Sequence, residues 1–146
     1  MCAKEYNAAM HTAEHILNAT MDKMFGCGRS FVSHIESKKS KCDYHMERML
    51  TDKELDAIEA TVNEVIKKGL KVEYRMVDRR EADEKYNTKK LPADAGSTIR
   101  IVFIGDYDAC PCIGTHVSNT REIGEFRIVS SDYNEGVLRI RFKLDQ

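Results

Sequence analysis

Two short stretches carrying histidines at helical spacing lie about a hundred residues apart, and any fold of this chain has to account for both. They are His11-Thr12-Ala13-Glu14-His15 near the start and Cys112-Ile113-Gly114-Thr115-His116 near the end. Each sets two good metal-binding side chains four positions apart, and on a helix that spacing stacks side chains on one face with Cβ atoms roughly 5–6 Å apart. Zinc bonds of roughly 2.0–2.1 Å to imidazole nitrogen and 2.3 Å to thiolate let one pair converge on a single ion and the second pair complete a tetrahedron. With five His and five Cys in 146 residues, the two motifs arise together by chance in roughly one chain in forty. The first constraint on the fold is therefore that it brings residues 11–15 against residues 112–116.

Between these stretches the hydrophobic pattern alternates between helical and strand periods. A helix is predicted from Asn7 to Phe25, its apolar side marked by Ala9, Ile16, Leu17, Thr20, Met21 and Met24, with Gly26 and Gly28 as stop signals. Phe31 to Glu36 and Lys41 to Glu47 read as strands joined by a short basic turn. The capping box Thr51-x-x-Glu54 opens a second helix, which carries Leu55, Ile58, Val62, Val65 and Ile66 at helical spacing and stops at Gly69. A strand from Lys71 to Val77 follows, then a second capping box, Asp78-x-x-Glu81, opening a short charged helix to about Tyr86. Residues 87–96, with Pro92 and two lysines, read as a loop. Thr98 to Ile104 is an apolar strand, and the second ligand stretch follows it through 105–111, where functional groups often sit on loops held by a scaffold. Glu125 to Ser130 and Val137 to Leu144 form a hairpin around Asn134-Glu135-Gly136. Helices mixed with hairpin-linked strands predict an α+β fold. An antiparallel sheet is layered with helices, and the zinc site lies between the N-terminal helix and a C-terminal strand-loop segment.

A length of 146 residues, 42% hydrophobic and 32% charged, suits one domain over 1–146 with a real core. Residues 1–10 carry Lys4 and Glu5 and no apolar run, so neither a signal peptide nor a membrane partner is expected and the chain reads as cytoplasmic. In that reducing compartment the odd number of cysteines is better explained by free thiols and a metal ligand than by disulfides. A formal net charge of -1 excludes a globally basic nucleic-acid binder, and no DNA partner is expected, but a local basic patch remains compatible with it. His34 and His45 read as ordinary surface or core histidines.

The ligands admit two uses. Cys112 with His11, His15 and His116 makes four, enough for a closed structural site. A catalytic zinc instead lowers the pKa of a bound water or polarises a carbonyl, which gives ester or amide hydrolysis at neutral pH. Glu14, one residue before His15, stands close enough to orient or deprotonate that water; the ordinary alternative is a solvated helix carboxylate. His11 to His15 also fits the H-x-x-E-H pattern of inverzincin proteases, which makes no use of Cys112 and His116.

His11-Thr12-Ala13-Glu14-His15-Ile16-Leu17 and Cys112-Ile113-Gly114-Thr115-His116-Val117, the latter continuing to Ile123-Gly124, resemble the HTAxHIL and CxGTHV…IG motifs of the alanyl-tRNA synthetase editing domain. The free-standing form of that domain is the AlaX type of trans-editing protein, and the threonyl-tRNA synthetase editing domain is a relative. The resemblance extends over nearly the whole chain in motif order and spacing, and Thr115 leans toward the alanyl branch. It implies a hydrolase that removes serine or glycine wrongly attached to the 3′ end of tRNA(Ala), with Zn2+ held by His11, His15, Cys112 and His116. On the zinc-hydrolase reading of the residues Glu14 is the catalytic candidate, and Thr12, Gly114 and Thr115 are the candidate substrate contacts. Ile113 stands where the alanyl motif usually has glycine, and Glu14 where it often has a small hydroxyl residue, so both bear on amino-acid choice. For tRNA, the candidate phosphate contacts are Lys38, Lys39 and Lys41 in the turn and Arg79, Arg80, Lys85, Lys89 and Lys90 in the later charged stretch. The alternative for both clusters is a solvated face, acidic residues being interleaved with the second. Cys110 reads as packing.

Overall fold

A computed structural model of the chain describes residues 7–86 and 96–145. The first helix, α1 (Ala8–Phe25), begins where Asn7 accepts a hydrogen bond from the Met10 N–H and ends at Gly26 in the left-handed conformation. Residues Ala9 to Met21 are buried without a break, including His11, Thr12, Glu14, His15 and Asn18. The helix is thus enclosed on its polar side as well as its apolar one. Met24, counted with the apolar side in the periodicity, is 40% exposed beyond the enclosed stretch.

Four strands form one antiparallel sheet in the order β1-β2-β7-β6, with β1 Val32–His34, β2 Ser40–His45, β6 Glu125–Asn134 and β7 Val137–Asp145. Cys42 opposite Ile140 and Tyr44 opposite Leu138 set the register of β2 on β7, and all four are fully buried. The β6–β7 hairpin turns through Glu135 and Gly136 at φ 46° and 84°, the pair of positive φ values that matches strand twist in a two-residue loop. β6 runs past the expected Ser130 to Asn134, because β7 continues to pair with it beyond a register shift between Ile128 and Ser130. The polar sequence Ser131-Asp132-Tyr133-Asn134 hides that extension.

β3 (Val72–Asp78), β4 (Thr98–Ile104) and β5 (Asp108–Pro111) form a second antiparallel sheet. Two sheets thus replace the one expected. The stretch after β4 also folds back as β5, pairing Val102 with Cys110 and Ile104 with Asp108. The β4–β5 turn rests on Gly105, whose φ is 51° and whose added Cβ would lie 3.1 Å from Leu70. Gly105→Ala should therefore cost about 1–3 kcal/mol from unfavourable φ and crowding, read as a lower urea midpoint at unchanged slope; an unchanged midpoint would show that the turn relaxes.

α2 (Asp52–Lys68) has the capping box read from sequence, with Glu54 N–H on Thr51 Oγ1 at 3.1 Å and Thr51 N–H on Glu54 Oε1 at 2.9 Å, and it stops at Gly69. α3 (Arg79–Lys85) forms where expected, but Asp78 makes no side-chain cap, so this second capping box is not realised. Instead Arg79 pairs with Asp83 and Lys85 with Glu81 along the helix. Ala82 and Tyr86 pack with Val77, Ile99 and Ile101 in a small second cluster, while the main core joins α1, α2 and both sheets. The expected loop over 87–96, with Lys89 and Lys90, falls outside the described residues up to position 95. No helix among the described residues is long and apolar enough to cross a membrane.

Candidate metal centre

The segment after β5 crosses the N-terminal half of α1 and brings the two motifs into one cluster. The ligand atoms of His11, His15, Cys112 and His116 all lie within 4.8 Å of one another. A tetrahedral site with imidazole and thiolate bonds has edges of about 3.3–3.6 Å, and Cys112 Sγ already stands 3.4 Å from His11 Nε2. The four can therefore hold a metal ion with small side-chain rotations.

The outer nitrogens of two imidazoles are tied down. His11 Nδ1 lies 3.2 Å from the Thr115 carbonyl, to which it donates. The Thr12 hydroxyl donates to the Ala8 carbonyl at 2.9 Å, so toward His116 Nδ1, at 2.9 Å, and the Val117 N–H, at 3.2 Å, it acts as acceptor. Both rings thus carry their proton on Nδ1 and turn Nε2 inward. His116 Nε2 is buried without a hydrogen-bond partner, an orphaned lone pair of the kind a metal satisfies. His15 Nδ1 stands 3.6 Å from Asp108 Oδ2 on β5, and Asp108 is in turn held by Arg29.

Cysteine chemistry separates the candidate ligand, Cys112, from its neighbours. Burial acts to raise the Cys112 thiol, but the imidazoles of His11, His116 and His15 gathered around the sulfur outweigh it and hold the group at about 3. Cys110, two residues away, is pushed up to about 12 by burial and stays a thiol, in keeping with the packing role read for it. His116 is pulled down to about 4 by burial, which favours the neutral imidazole that a metal requires. Burial also acts to lower His15, but Asp108 and Cys112 overcome it and raise that ring to about 9.

Glu14 is not a solvated helix carboxylate: it is 8% exposed. Its Oε2 accepts from Ser33 at 2.8 Å and from Asn18 at 3.4 Å, while Oε1 faces His11 Nε2 at 3.8 Å. Asn18 is itself fixed by Tyr44 OH and the Ser30 N–H, so one carboxylate oxygen is anchored and the other is presented to the cluster. Thr12 is fully buried and works as a strut between helix and loop. Thr115 is exposed and Gly114 half-buried at the rim. Ile113 is 89% exposed, its side chain projecting into solvent at the rim of the site.

Sequence reasoning missed three groups that shape the site. Arg100 on β4 donates to the carbonyls of Cys112 and Gly114 and stacks on Tyr74, clamping the ligand loop. Asp108 and Arg29 stand behind His15. The period-2 alternation of Asp108, Cys110 and Cys112 is the signal that could have placed Asp108 on the site's side of the chain. Of the basic candidates, Lys38 and Lys39 are exposed; with Lys41, Lys39 lines a pocket of about 150 Å³ beside His34 and Arg141. Arg79 and Lys85 are engaged with acidic partners on α3.

Residues 99–141 match the family described as the threonyl and alanyl tRNA synthetase second additional domain. The chain is 35% identical over 139 residues to alanine–tRNA ligase of Aeropyrum pernix, covering 90% of this chain and 15% of that protein. It is 34% identical over 135 residues to alanine–tRNA ligase of Bdellovibrio bacteriovorus, 91% of this chain and 15% of the other. With that of Fervidobacterium nodosum it shares 37% identity over 132 residues, 89% and 15% respectively. The chain thus spans about a seventh of the length of these curated relatives.

Proposed function

We propose that the chain, similar over residues 99–141 to the threonyl and alanyl tRNA synthetase second additional domain and over most of its length to part of alanine–tRNA ligases, is an editing domain that hydrolyses mischarged aminoacyl-tRNA in trans. The metal is zinc, the principal substrate Ser-tRNA(Ala), and Gly-tRNA(Ala) the second. Residues 1–146 act as one editing unit in the cytoplasm. The observation that carries this reading is the convergence of His11, His15, Cys112 and His116 beside a buried carboxylate, Glu14, whose Oε1 faces His11 Nε2 at 3.8 Å.

His11, His15, Cys112 and His116 would hold the ion, which supplies a polarised ester carbonyl and a more acidic water. Glu14 Oε1 takes the proton of the attacking water, and its partners Ser33 and Asn18 keep that oxygen aimed at the cluster. The exposed Thr115 and the backbone of Gly114 contact the aminoacyl end, while Thr12 acts through His116 and Val117. An aminoacyl ester is already activated, so a positioned water and a shaped site are sufficient. Choice of serine over alanine comes from hydrogen bonds to the serine hydroxyl, which alanine leaves unmade. Lys38, Lys39 and Lys41 offer the tRNA backbone a small basic patch, giving weak binding with a shallow salt dependence.

The test is amino-acid release by substoichiometric purified protein from Ser-tRNA(Ala), Gly-tRNA(Ala), Ser-tRNA(Thr) and Ala-tRNA(Ala). Release of serine from the first, with Ala-tRNA(Ala) spared, is expected. Preferential release from Ser-tRNA(Thr) would move the substrate to the threonyl branch. No release from any would leave a metal-stabilised module that binds tRNA or a synthetase, the use that a closed four-ligand site also allows.

A further inference from the structure

The three imidazoles of the cluster are backed in two different ways. The outer nitrogens of His11 and His116 meet neutral oxygens, the Thr115 carbonyl and the Thr12 hydroxyl. The outer nitrogen of His15, buried and without a hydrogen-bond partner, faces a carboxylate: Asp108 Oδ2 lies 3.6 Å from Nδ1, at ion-pair distance and one small rotation short of a hydrogen bond. Asp108 is buried, with a side chain 7% exposed, and Arg29 grips both its oxygens, Nη1 to Oδ1 at 2.8 Å and Nη2 to Oδ2 at 3.2 Å. Such a fork holds a carboxylate plane in one orientation. The pair reaches His15 from β5 and from the segment that follows α1, so it links the second sheet to the helical half of the site.

We propose that Asp108 is the positioning residue of His15, with Arg29 as its anchor: the carboxylate keeps the proton on Nδ1, directs Nε2 to the metal and strengthens that ligand's donation. A carboxylate behind a ligating histidine fixes tautomer and ring angle, and its loss commonly weakens metal binding 10–100-fold. Arg29 also explains why Asp108 does not compete as a fifth ligand, since both of its oxygens are already committed. The inference rests on the metal reading of the site but not on its substrate.

The experiment reads metal affinity without tRNA, by competing zinc between the full chain and a chromophoric chelator. Asp108→Asn keeps the shape and removes the charge, and it should weaken zinc binding by about 10–100-fold and alter the visible spectrum of the cobalt-substituted protein. Arg29→Gln keeps the charge behind His15 but loosens its orientation, so it should lower the melting temperature and weaken zinc binding by clearly less than Asp108→Asn does. Unchanged affinity in Asp108→Asn, or equal losses in both variants, would overturn the proposal, the latter because Asp108 would then act only through the fold. Should Asp108→Asn not fold, the parent protein still decides: its zinc form should show a His15 Nδ1–H in nitrogen-15 spectra, and an unprotonated Nδ1 there sinks the idea. A protein that binds zinc in this way yet releases no amino acid would defeat the proposed activity and leave this inference standing, whereas a parent that binds no zinc defeats both.

Discussion

Cys112→Ala is expected to abolish amino-acid release while leaving the chain folded. The sulfur contributes little to the main core: it is half-buried at the edge of the centre, with His11 Nε2 at 3.4 Å and the Gly114 N–H at 3.3 Å. Its contribution is a thiolate charge in the ligand set, held as an anion by three imidazoles. Removing it leaves three histidines and no negative ligand, so both metal affinity and the polarising power at the ester should fall. A drop of at least about 10²-fold in the deacylation rate corresponds to about 3 kcal/mol in the barrier. The rate should be measured at saturating zinc, with circular dichroism and a thermal melt confirming the fold. Full activity in this variant would remove the thiolate from the mechanism. If chelation of the parent melts the protein outright, the ion is a structural one.

Thr12→Val should produce the largest loss of stability. Valine fills nearly the same space, so the change isolates the hydroxyl, which is fully buried and serves three groups at once. Without it the His116 Nδ1–H and the Val117 N–H lose their acceptor inside the protein. Each stranded buried donor costs about 1–3 kcal/mol, giving about 2–6 kcal/mol in all. His116 would also be released to turn, so zinc binding should weaken by about 10–100-fold. Thr12→Ser restores the hydroxyl and should recover most of both losses. Urea unfolding and zinc competition check the two effects; a cost below about 1 kcal/mol would show that water or a ring rotation satisfies the stranded donors.

Much of this molecule is legible along the chain because its causes are local. The ends of α2 follow from bonds between residues three apart, Thr51 and Glu54, and from Gly69, which takes the left-handed conformation that closes the helix. The alternation of Leu138, Ile140 and Phe142 announces the buried face of β7. The four candidate ligands are legible as well, since each pair is a short motif whose chemistry needs those residue types at that spacing. The second capping box failed on a point of geometry that sequence does not carry: the spacing at Asp78 and Glu81 is right, but the Asp78 side chain does not turn onto the helix.

The sequence by itself determined the α+β character, most element positions and the candidate ligand set. Tertiary structure alone decided how strands divide between sheets, because alternation fixes which face of a strand is buried and not which strand it pairs with. It also decided the burial of α1. In a helical projection His11, Glu14, His15 and Asn18 form a polar face that belongs in water; here Ser33, Tyr44, the loop at Thr115 and Asp108 supply their partners from across the fold. Asp108 and Arg29 make the same point at the site itself. They lie 79 positions apart in the chain, and a buried charge becomes tolerable only when its partner arrives by folding.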